Sequence, residues 1–317
     1  MKTSGKLAIA GTVLLLAGAT VGAVGGVIAY QNQEGEVTNK VEKQYVATGA
    51  ASALKIKTFS GKVHLKKGDV ETVQIDYKDE EESPKIEFTF ADGVLTMKEQ
   101  ERPWYSYVNI VWPWNFDKAF QEETVITVPQ DSDIDYKLDV ASGSVLVENI
   151  ETTKGLDIQC ASGMVTVKDS SFGGSLDLDA VSGSVFLENL TVGEYIKLDA
   201  TSGTVNLKNI ECGKTIDIDA ISGEIKGENL KCEKLKTDAT SGKIDLKKVN
   251  AEKSIDIGAV SGSIYLSVVD AKENYSNSVS KRSGSANVES RTDANAPKSM
   301  SLSATSGSIN VTFDDNN

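Results

Sequence analysis

The chain alternates apolar and polar residues in short runs on either side of a recurring Ser-Gly pair. Around Gly183, for example, apolar residues occupy every second position from Leu176 to Ala180 and again from Val185 to Leu187. Alternation with period two is typical of a β-strand with one buried face, and a glycine between two such runs indicates a tight turn. The pattern predicts two short strands that meet at a glycine corner.

This unit recurs on a nearly constant period. Five of the six steps between the regular glycines measure 20 residues and one measures 19. The glycines of the regular series are Gly143, Gly163, Gly183, Gly203, Gly223, Gly242 and Gly262, and looser copies follow or precede them at Gly61, Gly284 and Gly307. A period in this range is typical of stacked supersecondary units. The sequence therefore predicts an all-β fold, a parallel β-solenoid (β-helix) whose coils stack about 4.8 Å apart.

The outward positions agree with stacking. Five residues after each regular glycine the charge alternates from coil to coil, in the order Glu148, Lys168, Glu188, Lys208, Glu228, Lys247. One residue later stand the asparagines Asn149, Asn189, Asn209 and Asn229. We expect ion pairs between neighbouring coils and an asparagine ladder at a corner, where asparagine tolerates left-handed backbone.

A membrane helix is expected before the solenoid. Leu7 to Tyr30 carries no charge and is long enough to span a bilayer. Lys2 and Lys6 precede it, so the positive-inside rule predicts a cytoplasmic N-terminus and an extracellular C-terminal region. The alternative is a cleaved signal peptide ending near Ala19. Three glycines have the spacing for close packing against a partner helix, and the alternative is an ordinary glycine-rich span: Gly18, Gly22 and Gly26.

The pattern divides the chain into four parts. Residues 1–30 form the cytoplasmic stub and membrane anchor, and residues 31–47 form a polar linker. Residues 48–135 carry strands without regularly spaced glycines and are expected to form an irregular N-terminal β cap. Residues 136–317 form the solenoid, with distorted coils at its C-terminal end.

Composition excludes several classes of function. The formal net charge of −13 argues against nucleic acid as a partner. His64 is the only histidine, and no nucleophile elbow, phosphate loop, dinucleotide fingerprint or zinc spacing is present. The sequence therefore predicts a protein that is not an enzyme and needs no cofactor.

One aromatic segment stands out as a candidate binding site. Residues 102–116 hold all three tryptophans and two prolines, which argues against a central strand there. The candidate contact residues are Trp104, Tyr105, Tyr107, Trp112, Trp114 and Phe116. Such side chains are enriched at interfaces and at membrane surfaces. The segment either touches a partner, a wall glycan or the outer leaflet, or folds over the open end of the solenoid core.

A row of aspartates is the second candidate. Asp179, Asp199, Asp219 and Asp238 each stand four residues before a corner glycine. Stacked carboxylates repel one another, and Ca²⁺ would relieve that repulsion. The alternative is a solvated face, because lysines in the neighbouring outward row supply partial compensation.

Three stretches carry a resemblance to a known family: Phe59-Ser-Gly-Lys-Val63, Thr127-Val-Pro129 and Leu138-Asp-Val-Ala-Ser-Gly-Ser-Val145. Together with the membrane segment they resemble the bacterial putative-adhesin domain family of unknown function, over roughly residues 48–313. The resemblance implies a β-solenoid, a surface location in the bacterial cell envelope and no established catalytic residues. In Gram-positive bacteria, members of the family are often associated with envelope-stress operons.

Three functions remain open. The first is a membrane-anchored adhesin that contacts a cell-envelope component, a surface protein or a glycan. The second is an extracellular sensor that regulates an envelope-stress response through its membrane helix. The third is a polysaccharide-acting β-helix enzyme, which the regular alternation of charges disfavours because such enzymes cluster their carboxylates in one groove.

Overall fold

The structure is a computed structural model that describes residues 40–100 and 123–314. Within those two ranges the chain is almost entirely β, and the one helical element is a short 3₁₀ turn at Lys272–Asn274. The strands of the first range are β1 Lys40–Val46, β2 Ala53–Thr58, β3 Lys62–Gly68, β4 Gln74–Glu80, β5 Ile86–Ala91 and β6 Val94–Glu99. Those of the second range are β7 Glu123–Pro129, β8 Asp135–Glu148, β9 Glu151–Thr152, β10 Leu156–Phe172, β11 Leu176–Val192, β12 Tyr195–Cys212, β13 Thr215–Ser261, β14 Ile264–Val268, β15 Tyr275–Ser283, β16 Lys298–Ser306 and β17 Ile309–Phe313.

All of these strands belong to one 17-stranded, mostly parallel sheet. From β8 to β13 each residue pairs with the residue one repeat later, so that Leu178 lies beside Leu198 and Val185 beside Val205. The strands therefore wind into coils that stack in register, which confirms the all-β, parallel arrangement predicted from the repeat. The pairing also explains the period, because a constant repeat keeps every inward residue above an inward residue.

The core is a set of aliphatic columns. Leu178, Leu198 and Ile218 stack along one column, and each is at most 1 % exposed. Burial of one such side chain contributes roughly 1.5–3 kcal/mol. Thr237 takes the same place in the next coil and is fully buried, and its hydroxyl has no hydrogen-bond partner.

Glycine is required at the corner for two separate reasons. The corner residue has a positive φ in every coil, for example 143° at Gly183. A Cβ atom at Gly183 would also lie 1.6 Å from the carbonyl oxygen of Gly163 in the preceding coil. Glycine alone satisfies both conditions. The full column, in spatial order, is Gly61, Gly143, Gly163, Gly183, Gly203, Gly223, Gly242, Gly262, Gly307 and Gly284.

The second corner is the predicted asparagine ladder. Asn189, Asn209 and Asn229 have φ near 55°, and each amide of the later two donates a 2.8 Å hydrogen bond to the amide oxygen one coil earlier. The charge alternation beside it also forms ion pairs, with Lys208 Nζ 2.8 Å from Glu188 Oε1. Both ladders follow from stacking alone.

The N-terminal end of the stack is built from strands that are distant in sequence. β2 lies between β6 and the first half of β8, while β3 lies between β7 and the second half of β8. Residues of β2 and β3 therefore form a coil of the same ladder. β5 then adds to β6 and β4 adds to β7, both antiparallel, and β1 pairs with β4. Tyr45 and Phe88 stack against each other over this end, with ring centroids 4.2 Å apart.

At the C-terminal end the order of coils is exchanged. β16 pairs with β13 on one side and with β15 on the other, although β15 comes first in the chain. The chain thus builds the outermost coil and then returns to fill the place beneath it. This exchange is the distortion that the longer spacing near Gly284 and Gly307 reflects.

Candidate functional site

The predicted aspartate row is in register on the outer face of the stack. Asp179 pairs with Asp199, and Asp199 pairs with Asp219. Their side chains point outward because they alternate with buried residues of the core columns, such as Leu178 and Ala180. Stacking therefore places equivalent carboxylates on successive coils, as the sequence predicted.

Two lysines lie beside this row. Lys197 Nζ donates a hydrogen bond of 2.5 Å to Asp199 Oδ2. Lys236 Nζ lies 2.9 Å from Asp217 Oδ1, but 3.7 Å from Asp219 and 3.5 Å from Asp238. The strongest contact of Lys236 is thus made to the neighbouring outward row, and the compensation of the aspartate row is partial.

The pKa values of the carboxyls reflect first their burial and then the charges around them. Burial raises the pKa of Asp179, and the adjacent Asp199 raises it further. Burial also raises the pKa of Asp177 and of Asp219, although Lys197 and Lys236 respectively act in the opposite direction. The folded state therefore loses some stability when each of these carboxyls ionises.

The calcium hypothesis for Asp179, Asp199, Asp219 and Asp238 stays a prediction. In the two described ranges no group of three or more histidine, cysteine, aspartate or glutamate residues is arranged to hold a metal ion. The cations that the structure places beside the row are the ammonium groups of Lys197 and Lys236.

A groove runs along the stack next to this row, and we call it the aspartate groove. It has a volume of about 490 Å³. One side is formed by Asp199, Asp219 and Asp238, and the other by Ile221, Thr240 and Val260. The residues between the two sides are the buried alanines Ala200, Ala220, Ala239 and Ala259. The small side chains of the alanine column leave the groove open to solvent.

The sequence analysis missed the apolar side of the groove. Ile221 is 43 % exposed and Val260 is 52 % exposed, which is unusual for such large aliphatic residues. A signal was present, because the position two residues before the corner glycine reads Val181, Thr201, Ile221, Thr240 and Val260. β-Branched residues at an outward position could have indicated an exposed apolar row.

His64 lies on another face between two glutamates. Its Nε2 atom is 2.8 Å from Glu148 Oε1, and its Nδ1 atom is 3.5 Å from Glu123 Oε1. Lys168 lies on the far side of Glu148, at 2.8 Å, and its hydrogen bond is the largest cause that lowers the pKa of that carboxyl. The arrangement is a ladder of ion pairs between coils and brings no nucleophile to His64 within the described ranges.

Three groups of predicted residues lie outside the described ranges. These are the aromatic segment with Trp104, Tyr105, Tyr107, Trp112, Trp114 and Phe116, the helix-packing glycines Gly18, Gly22 and Gly26, and the membrane segment 1–30 as a whole. Their roles stay predictions. Of the residues that the structure does describe, none belongs to a helix with the length and apolar character needed to cross a bilayer.

The two points where the aromatic segment joins the described chain are firmly held. On the first side, the Gln100 N–H group donates to the carbonyl oxygen of Lys85. On the second side, Lys62 Nζ forms an ion pair with Glu123 Oε1 at 2.8 Å. Glu99 and Glu123 border one shared depression, so the segment leaves and re-enters the stack at one place.

The sequence profile of the Toastrack DUF4097 family matches residues 51–314. The chain belongs to that family. The match covers the described strands from β2 onwards and the whole Ser-Gly repeat, and it confirms the family resemblance inferred from the sequence. No curated protein matches the chain by sequence.

Several solved structures are similar to this Toastrack chain, and the adhesin described first shares its fold. A putative adhesin from Parabacteroides merdae is 14 % identical, with 87 % of this chain and 97 % of that chain covered and a TM-score of 0.50. A putative adhesin from Bacteroides fragilis is 16 % identical, with 86 % and 97 % covered and a TM-score of 0.36. A putative lipid binding protein from Parabacteroides distasonis is 13 % identical, with 87 % and 98 % covered and a TM-score of 0.46. At these identities the likeness concerns the fold alone.

Proposed function

We propose that this chain is a non-enzymatic, adhesin-like binding protein. In this proposal residues 1–30 anchor it in the cell membrane, and the β stack outside the cell contacts a component of the cell envelope or another surface, protein or glycan. The observation that carries the proposal is the exposed row of Val181, Ile221 and Val260, which stays outside the core.

A rigid stack with an exposed row along its length suits contact with an extended partner. Each coil is fixed by hydrogen bonds to the coils on both sides, so the outward rows keep a constant spacing. Threonines separate the three aliphatic residues along the row, and exposed apolar side chains that recur on one face are typical of interaction sites. The name of the solved relative from Parabacteroides merdae, a putative adhesin, agrees with such a role.

The sequence supports the anchoring and a second contact. The uncharged stretch Leu7 to Tyr30 follows Lys2 and Lys6, which favours a membrane helix with its N-terminus in the cytoplasm. The segment that holds Trp104, Trp112 and Trp114 joins the stack at its N-terminal end. Aromatic side chains supply large contact areas at low entropic cost.

The test is a binding measurement with the full chain purified in detergent. The wild-type protein is compared with the Trp104→Ala, Trp112→Ala, Trp114→Ala triple variant on peptidoglycan, on wall polymers and on liposomes. Tyr195→Ala is the control, because Tyr195 is an exposed aromatic residue on β12 and does not belong to the segment. We expect the wild type and the control to bind one of these materials, and the triple variant to lose at least tenfold in affinity, about 1.4 kcal/mol.

Two results would contradict the proposal. If neither the wild type nor the control binds any envelope material, the adhesin-like role is wrong and the regulator becomes the better hypothesis. If the protein releases fragments from the wall polymers, it is an enzyme.

A further inference from the structure

The aspartate groove has a notch at the point where a glycine replaces the aspartate of its acidic row. In the next coil after Asp238 the equivalent residue is Gly258, and Ser303 pairs with Gly258 one coil further on. A Cβ atom on Gly258 would lie 2.4 Å from Asp238 Oδ1 and 3.4 Å from Ser303 Oγ. Because glycine has no side chain, it leaves a space into which a carboxylate and a hydroxyl both reach.

The groove also carries an excess of negative charge. Three carboxylates line the groove and two lysines, Lys197 and Lys236, lie beside them, so the sum is 2 − 3 = −1. Those carboxylates belong to Asp199, Asp219 and Asp238. Lys236 makes its hydrogen bond to Asp217, at 2.9 Å, and stays beyond hydrogen-bond distance from Asp219 and Asp238. Carboxylates at the notch are thus available to a cation from solution.

The exposed apolar side chains on the opposite side of the groove limit which kind of cation fits. Ile221 and Val260 are about half exposed there, and a bare metal ion would leave them in water. A peptide would bring its own N–H and C=O groups, whereas the backbone groups of these strands are already paired between coils. A chain of methylene groups that carries ammonium groups needs no such partners and covers apolar side chains.

We propose that the aspartate groove binds a linear aliphatic polyamine. One terminal ammonium group occupies the notch over Gly258, between Asp238 and Ser303. The methylene chain lies along Val260 and Ile221, and the next ammonium groups reach Asp219 and Asp199. Nitrogens separated by three or four methylene groups are about 5–6 Å apart at ordinary bond lengths, close to the coil spacing of about 4.8 Å. This proposal does not depend on the adhesin-like role.

The test is calorimetric titration of the full chain with spermidine at physiological ionic strength. Asp238→Asn removes a charge from the notch without filling it, and Gly258→Ala fills the notch without changing the charge. In the alanine variant the new methyl group meets the movable end of the Asp238 side chain, and the φ at this position is not in the positive range, so the fold is retained. Glu188→Gln is the control, since it removes a carboxylate paired with Lys208 from the far side of the corner.

We expect one-to-one binding of spermidine by the wild type and by Glu188→Gln. Asp238→Asn should weaken binding about tenfold, the loss of one charge-assisted hydrogen bond, and Gly258→Ala should weaken it by at least about fivefold because the notch is closed. Butylamine, which has one ammonium group, should bind at least about tenfold more weakly than spermidine. Circular dichroism and the melting temperature of each variant establish that it is folded.

The proposal is overturned by any of four results. Absence of spermidine binding to the wild type would show that the groove is not a polyamine site. Equal weakening in Glu188→Gln and Asp238→Asn would mean that unspecific charge attraction explains the binding. Tighter binding of Ca²⁺ that displaces spermidine would make the groove a metal site. Tighter binding of a tetralysine peptide would make it a peptide site.

Discussion

At the scale of single residues, one position of the asparagine corner holds a residue that is poorly suited to its left-handed backbone conformation. Lys248 takes the place of the asparagines and has a φ of 53°, the left-handed value of that corner. Left-handed backbone costs roughly 1–2 kcal/mol for most residues, and asparagine tolerates it better. Lys248 stands where the pairing register with the next coil shifts, between Leu246 and Val249.

We therefore expect Lys248→Asn to stabilise the protein by about 1 kcal/mol. The new amide would extend the ladder from Asn229, and the substitution removes a long ion pair of 3.8 Å between Lys248 and Glu228. Urea denaturation gives the free energy of unfolding. Lys247→Asn is the control, because it removes the same charge from a residue without positive φ. An equal gain in both variants would mean that the charge, and not the backbone conformation, limits stability.

At the scale of the element, the glycine corner is the feature that permits close stacking. Gly183→Ala would place a methyl group 1.6 Å from the Gly163 carbonyl oxygen, at a φ of 143°. Strained backbone of this kind costs of order 1–3 kcal/mol before the overlap is counted. We expect the variant to lose at least about 3 kcal/mol of stability. Gly49→Ala is the control, since its methyl group would lie 3.3 Å from the Phe90 ring at an ordinary φ.

The measurement for the corner is again the free energy of unfolding, supported by the melting temperature. A loss below about 1 kcal/mol in Gly183→Ala, similar to that of Gly49→Ala, would show that neighbouring coils can separate at the corner.

The outer edge of the C-terminal coils is closed by side chains that imitate a strand. Asn287 Oδ1 accepts from the Val311 N–H group at 2.8 Å, and Asn287 Nδ2 donates to the Val311 carbonyl oxygen at 2.9 Å. Ser290 bonds in the same two directions with Val279. An open strand edge is a template for pairing with another chain, so these two residues block self-association at this end.

We expect Asn287→Ala to expose the Val311 edge and to promote dimers or larger species with rising protein concentration. Analytical ultracentrifugation measures the change. Asn310→Ala is the matched control, because Asn310 lies on β17 itself and its side chain does not cover the edge at Val311. The role assigned to Asn287 would be wrong if both variants sediment like the wild type at all concentrations.

At the scale of the whole molecule, the repeat predicts which residues stack but not which coils are neighbours. The positions of Gly143 to Gly262 follow directly from the period. The exchanged order of the coils that hold Gly284 and Gly307 does not follow from the period. It depends on how the chain returns through residues 284–297, and that tertiary arrangement leaves the local sequence pattern unchanged. The same holds for Gly61, whose partner in the stack is Gly143.

The candidate site was predictable only in part for a related reason. The aspartate row follows from register, and register is visible in the sequence. The depth of the groove depends on the alanine column and on the absence of a side chain at Gly258, and these matter only once the strands bend at the corner. The periodicity of the sequence predicts the direction in which a side chain points. Whether the surface forms a groove depends on the side chains of several coils together.

The two charged faces of the molecule should respond to pH in opposite directions. The pKa of Glu148 lies below its ordinary value, chiefly because Lys168 donates a hydrogen bond to it. Its stabilising contribution is therefore present above the ordinary glutamate pKa and is lost as the pH falls through the lowered value. The pKa of Asp179 lies above its ordinary value because of burial and of Asp199. Its contribution is fully present below the ordinary aspartate pKa and is lost as the pH rises through the raised value.

Two variants of equal charge change separate these contributions. At pH 7 we expect Glu148→Gln to lower the free energy of unfolding by up to about 1 kcal/mol and Asp179→Asn to raise it by about 0.2–1 kcal/mol. The difference for Asp179→Asn should shrink towards zero near pH 3, and the difference for Glu148→Gln should shrink as the pH falls through the lowered pKa of Glu148. Urea denaturation of the three proteins from pH 3 to pH 7 provides the measurement. Differences of the same sign at pH 7 would mean that net charge governs stability, since both substitutions remove one negative charge from a protein whose net charge is −13. Opposite signs would mean that the burial and the local partners of each carboxyl decide, because both differ between the two faces.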